Sequence, residues 1–337
     1  MLNRLIAAAV VAIAVQVGWG GLAAEAQQFP NKPIESSVWA SAGGGTDTIN
    51  RLITKAMEKD LGGTVVVSNR TGGGGAVAMN YVWQKPHDGY SWLGASEQMQ
   101  IVAVMGFHTT KTKDWRWYMV AGAPAVISVR PDSPHKTLED LLKAARDNPG
   151  KVSITHCPIG CVFHAKALGL AEATKIKLNS VPYQGSAPAM VAVLSGDGDA
   201  VISSLAEQNE YLKGGKLRPL AMVEMAAADV PDVGRIAGVG QTYPDIARMP
   251  ARQWLGFAVP ADTPKAALDR IDAAFTKAMK DPDVVAQLGK MNYGIIGAYG
   301  DEAHKILSDM ESAVSWKLFE LGAAKTSPDQ LGIPKPR

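Results

Sequence analysis

The sequence predicts an α/β fold of two domains with a cleft between them. Strand-like and helix-like stretches alternate in two separate regions, glycine-rich loops follow several of the strands, and two apolar stretches link one region to the other. With 337 residues the chain is long enough for two domains of ordinary size.

Residues 1–26 read as an export signal. Arg4 supplies a basic start, Leu5 to Val17 a short apolar run, and Ala24-Glu25-Ala26 an A-x-A cleavage site near Ala26. The run is too short for a membrane-spanning helix. Ile34 to Trp39 then reads as a strand that enters the glycines of VWASAGGGTD. Ile49, Leu52, Ile53, Ala56, Met57 and Leu61 follow a helical period, with Thr46 or Asp47 as the cap and Gly62-Gly63 as the stop. Val65 to Ser68 is a short strand, Gly72 to Gly75 a turn, Ala76 to Gln84 a helix and Tyr90 to Ala95 a third strand. This alternation argues for a parallel sheet covered on both faces.

Tyr118 to Val129, mostly apolar but interrupted by Gly122 and Pro124, reads as a strand crossing into the second domain. There Thr137 and Asp140 form a T-x-x-D capping signature for a helix to about Arg146. Strands Val152–Thr155, Asn179–Pro182, Ala200–Ser203 and Pro219–Val223 follow, with helices from about Cys161 and over Ala187–Leu194. Residues 224–253 are loop-rich, and Trp254 to Val259 returns to the first domain. Thr263-Pro264 opens a helix to about Lys280. An apolar stripe including Ala303, Leu307 and Val314 marks a last helix from Asp301 to Leu321. The expected division is 27–124 plus 254–337 for a discontinuous first domain and 125–253 for the second, with hinges near 122–126 and 250–256.

Lys and Arg number 34 against 32 Asp and Glu, without a dense basic run, which argues against a nucleic-acid partner. The chain lacks the G-K-[ST] of a phosphate loop, and neither G-x-S-x-G nor H-E-x-x-H occurs, so no catalytic residue and no cofactor is expected. What remains is the glycine loops. The first N–H groups of a helix have no partner within it, and glycines let an anion approach them. Three loops fit that description: Ala40 to Asp47, Tyr183 to Pro188, and His156 to Gly160 before the helix carrying His164. For the first loop the residues leave an ordinary strand-to-helix turn equally open. His156, Cys157, Cys161 and His164 also form H-C-x3-C-x2-H, chemically suited to zinc or copper but spaced like no standard zinc module; export favours pairing the thiols instead. No metal is expected.

The ordered runs FPNKPIESSVWASAGGGTD, VVVSNRTGGGGAVA, PHDGYSWLGAS, VPYQGSAPAMVAVLSGDGDAVI, LRPLAM, WLGFAVPADTPK and KDPDV resemble the Bug-type substrate-binding proteins of tripartite tricarboxylate transporters. The resemblance covers essentially the whole chain beyond the export signal. It implies a two-domain periplasmic-binding-protein fold of type II, a clamshell with its cleft between the domains. It also implies a periplasmic, non-enzymatic receptor that binds a small organic acid and delivers it to membrane permease subunits. A ligand-sensing protein acting with a sensor kinase is the alternative, an exported metal-binding protein using the Cys/His cluster a further one, and a monomer is the expected state. Family members hold a carboxylate chiefly through backbone amides and ordered waters. Carried over, this places Ala40, Ser41, Ala42, Gly43, Gly44, Thr46 and Asp47 in one binding loop and Tyr183, Gln184, Gly185, Ser186 and Ala187 in the other. Ser96 and His164 fall on family motif positions, and Asp199 on an acidic position near the cleft floor.

The sequence departs from the family pattern at three places. Trp39-Ala40-Ser41-Ala42-Gly43-Gly44 stands where P-F-P-P-G-G is usual, Glu97 follows Ser96 where a small residue is usual, and Cys157-Pro158-Ile159-Gly160-Cys161 replaces G-x-G-S. Trp39 and Glu97, if both face the cleft, would suit an aromatic or amino-substituted carboxylate.

Overall fold

The computed structural model describes residues 29–247 and 252–336; the export-signal reading and part of the second hinge lie outside the described residues. β1 (Ile34–Val38) leads through a glycine turn into α1 (Gly45–Leu61), whose buried Ile49, Ile53, Met57 and Leu61 form one stripe. Gly62 ends α1 in the left-handed conformation that glycine adopts without a steric penalty. β2 (Val65–Asn69), α2 (Ala76–Trp83), β3 (Ser91–Ser96) and β4 (Trp115–Gly122) follow. After Ala123-Pro124 the chain enters a second sheet as β5 (Ala125–Val129), so the stretch from Tyr118 to Val129 is two strands in two sheets.

The second lobe continues with α3 (Leu138–Asp147), opened by a capping box between Thr137 and Asp140, then β6 (Ser153–His156), α4 (Val162–Thr174), β7 (Asn179–Pro182) and α5 (Ser186–Ser195). β8 (Ala200–Ser204) runs directly into α6 (Leu205–Lys213), and β9 (Arg218–Met222) closes the sheet. A hairpin of β10 (Ala228–Val230) and β11 (Gly234–Ile236) and the short α7 (Pro244–Ala247) lie in the segment expected to be loop. β12 (Leu255–Pro260) returns to the first sheet, followed by α8 (Lys265–Ala278), α9 (Pro282–Lys290), β13 (Gly294–Tyr299) and α10 (Gly300–Glu320).

Strand order is β13-β4-β12-β3-β1-β2 in the first lobe and β7-β6-β8-β5-β9 in the second. Both sheets are mixed, which corrects the all-parallel expectation. β12 runs antiparallel to β3 and β4, and β5 antiparallel to β8 and β9. The reason lies in the crossings. A strand that has just crossed starts at the edge facing the other lobe and runs away from it, whereas strands that deliver a binding loop run toward it.

Both faces of the first sheet are apolar, as a doubly covered sheet requires. On β4, Trp115, Trp117 and Met119 pack into one core while Tyr118 and Val120 pack into the other. In the second core Phe257 stacks between Trp92, at 4.7 Å, and Tyr118, at 4.4 Å between ring centroids. These two cores give the strand ends at the cleft a stiff base.

Candidate interdomain binding site

The loop after β1 and the loop before α5 meet across the gap between the lobes. Ser41 donates to the Gln184 carbonyl twice, from its N–H at 3.2 Å and its hydroxyl at 2.6 Å. Between them lies a small cavity of about 20 Å3, room for about one water, walled by both lobes.

Local geometry explains the arrangement. α1 begins at the Gly44 N-cap without a side-chain cap, and α5 begins at the Gly185 N-cap likewise. Gly185 sits at φ 128°, where a side chain would be strained, with Ser41 opposite it. Thr46 and Asp47, expected as caps, instead lie inside the first turn of α1. The Asp47 carboxylate accepts from the Gly43 N–H at 3.0 Å, from Arg51 at 2.9 Å and from the Asn69 amide at 2.9 Å. It holds the loop in shape and does not line the cavity.

Of the residues expected at the site, Trp39, Ala40, Gly44, Thr46, Ser96, Glu97, Gly185 and Ser186 line the cavity. Ser41 and Gln184 tie the loops together, Ala42 and Gly43 are exposed at the turn, and Tyr183 packs against the second lobe's core. Ala187 follows in the first turn of α5.

Two expectations need correction. Asp199 precedes β8 and is exposed, bound to the Ser153 N–H and hydroxyl at the start of β6. Both strands reach the cleft at their other ends, so Asp199 lies at the edge of the sheet remote from the site. His164 is buried behind the third loop, where Nδ1 accepts the Gly160 N–H at 3.0 Å, and it is outside the cavity lining. Its ring lies 4.8 Å from that of His156. Burial holds both neutral, His164 down to about 4 and His156, with the neighbouring ring adding to the effect, to about 3. Cys157 and Cys161 are joined as a disulfide. The H-C-x3-C-x2-H run therefore folds as a covalent clip beneath the cleft, not as a set of free ligands; Cys157 itself lines the cavity.

Gly45, within the expected Ala40 to Asp47 loop, also lines the cavity, and sequence reasoning missed Phe163, Glu207, Gln253 and Leu255, which line it as well. Glu207 is the informative one. It reaches across from α6 and accepts the Gly45 N–H at 3.0 Å, so the open start of α1 already holds a carboxylate. Its other oxygen accepts from the Ser204 N–H and hydroxyl and from Gln253. Ser204-x-x-Glu207 is a capping box, and that signature was present in the sequence.

Glu97 faces the same cavity from the first lobe and is 9% exposed. Burial, reinforced by the charge of Glu207, pushes its carboxyl up to about 8. The folded protein thus holds this proton more tightly than the unfolded chain does, whose Glu titrates in the ordinary carboxylate range. Stability contributed by the neutral form is complete below the unfolded value and is lost as pH rises through the folded one. Urea titrations of the unliganded protein should show stability falling by up to a few kcal/mol between about pH 5 and 8. Glu97→Gln should remove most of that slope; an unchanged slope would show that Glu97 is not its source.

A larger cavity of about 520 Å3 lies at the crossing point, bordered by Gly122, Pro124, Gln253, Trp254 and the edge residues Ile295 and Ile296. It shares Gln253 with the interdomain cavity but none of the glycine loops.

Comparison with known proteins agrees with this architecture. Residues 49–315 match the family model described as tripartite tricarboxylate transporter family receptor. The chain is 31% identical over 289 residues to the UPF0065 protein in the tcbD-tcbE intergenic region of Pseudomonas sp. (strain P51), covering 84% of this chain and 83% of that one. It is 26% identical over 321 residues to protein BugT of Bordetella pertussis (strain Tohama I), covering 92% and 96%. Among solved structures, MatC from Rhodopseudomonas palustris with bound malate superposes with a TM-score of 0.75 at 23% identity, covering 87% of this chain and 98% of that one.

Proposed function

The chain belongs to the tripartite tricarboxylate transporter receptor family, a family of binding proteins and not of enzymes, and from that premise we propose that it captures a small organic carboxylate in the periplasm and hands it to the membrane permease of such a transporter. It works as a monomer whose lobes, 27–124 with 254–337 and 125–253, close about the crossings near Pro124 and Gln253.

One observation carries the reading: the start of α1 meets the start of α5 across one cavity, and the Gly45 N–H already binds a carboxylate there. A ligand carboxylate has the same chemistry as Glu207 and finds further N–H donors in the first turns of both helices, with water excluded on closure. The bound malate of MatC supports the same ligand class.

The test is thermal denaturation against a broad panel of organic acids. Ligand at about 100 times its dissociation constant stabilises the folded state by about 2.7 kcal/mol, a readily measured rise in Tm. Failure of every carboxylate in the panel to raise Tm would overturn the reading.

A further inference from the structure

The wall of this cavity is acidic. Glu97 and Glu207 enter one small cavity from opposite lobes, and no lysine, arginine or histidine is among the described residues lining it. Glu207 is satisfied by Gly45, Ser204 and Gln253. Glu97 is not: its Oε2 is buried without a hydrogen-bond partner, and so is Oε1 of the neighbouring Gln253. Buried polar oxygens left unpaired carry a desolvation cost that a partner from outside would relieve. The N–H groups of Glu97 and Trp254 and the Ser96 hydroxyl reach the Glu97 carboxyl but leave Oε2 without a partner. Tyr293 holds a neutral hydroxyl close to Glu207, and Arg252 borders an adjoining space without bonding Oε2.

We propose that the ligand carries a primary ammonium group as well as a carboxylate, the ammonium seated against Glu97 Oε2 and Gln253 Oε1 and the carboxylate on the helix starts. This inference rests on the receptor reading above and names its substrate class. An ammonium brings three N–H donors, enough for Gln253 Oε1 and for Glu97 Oε2 once Glu97 has given up its proton, and then offsets the charge of the Glu pair. A plain dicarboxylate would instead bring a second negative charge to a wall that already carries two acidic groups, in a site from which water is excluded. Because Glu97 is neutral in the empty protein near neutral pH, seating a cation beside it expels its proton.

Isothermal titration with matched pairs of acids tests this: succinate against aspartate, glutarate against glutamate, and butyrate against 4-aminobutyrate, each on wild type and Glu97→Gln. In the pair whose length fits, the amino member should bind roughly 10- to 100-fold more tightly than its partner. Glu97→Gln should erase that preference, and the wild-type binding enthalpy should shift with the ionisation heat of the buffer as the proton is released. If the plain acid binds as well as its amino partner, or the preference survives Glu97→Gln, the inference fails and the receptor reading stands. If no acid of either kind binds while other solutes do, the receptor reading itself fails.

Discussion

Gly45→Val is expected to weaken ligand binding strongly while leaving the protein folded and open. A Cβ on Gly45 would lie 2.8 Å from the Tyr293 hydroxyl, 2.9 Å from Glu207 Oε1 and 3.1 Å from Leu255 Cδ1, and the two further methyl groups of valine extend into the same space. Gly45 has ordinary helical backbone, so the obstacle is space and not conformation. Within the first lobe the Tyr293 side chain can give way. The contact with Glu207 can be relieved by keeping the lobes apart, which is the cheaper response. Overpacking of about 1–3 kcal/mol at the closed interface corresponds to a roughly 5- to 150-fold loss of affinity. Titration calorimetry should show that loss, circular dichroism should stay native, and small-angle scattering should report a larger radius with saturating ligand. Wild-type affinity in Gly45→Val would mean that the lobes do not close at this point.

Among the described glycines, Gly256→Ala is expected to be the most damaging single added methyl group. Its Cβ would sit 1.9 Å from the Tyr118 carbonyl oxygen, a backbone atom in the adjoining β4. Between Leu255 and Gly256 the pairing of β12 with β4 shifts register, and the bare Cα is what lets the strands pass there. No side chain can rotate away. Relief means breaking the centre of the six-stranded sheet, between the Phe257 stack on one face and the Trp117–Trp254 pair on the other. The expected loss is about 3 kcal/mol or more by urea unfolding, with poor soluble yield as a second sign. A loss under about 1 kcal/mol would show that the sheet tolerates a local slip.

Much of this architecture is legible from residue order. Strand β7 (Asn179–Pro182) and the Gly62 stop of α1 fall where periodicity and glycine chemistry put them. The missed elements fail for identifiable reasons. α6 follows β8 with no loop, Ser204 being both the last strand residue and the helix cap, so no turn signal separates them. α9 buries only Val284 and Leu288, too short a stripe to read as a period. β13 is an edge strand with two glycines and exposed Ile295 and Ile296, which gives no alternation. At the site, loops contiguous in sequence were visible, whereas Glu207 and Gln253 reach the cavity from distant segments. Asp199 shows the converse hazard: it is near β8 in sequence but at the wrong end of the strand.

The bond from Gly45 to Glu207 also bears on how quickly the receptor can be loaded. If a ligand carboxylate docks at the Gly45 N–H as proposed, a shut, empty molecule already holds its own carboxylate there, and arrival must wait for that internal plug to withdraw. Capture would then proceed at the encounter rate multiplied by the unplugged fraction, and weak or scarce solutes would suffer most from the toll. Such a protein trades speed of uptake for a threshold, ignoring passing acids that cannot outcompete a side chain of its own.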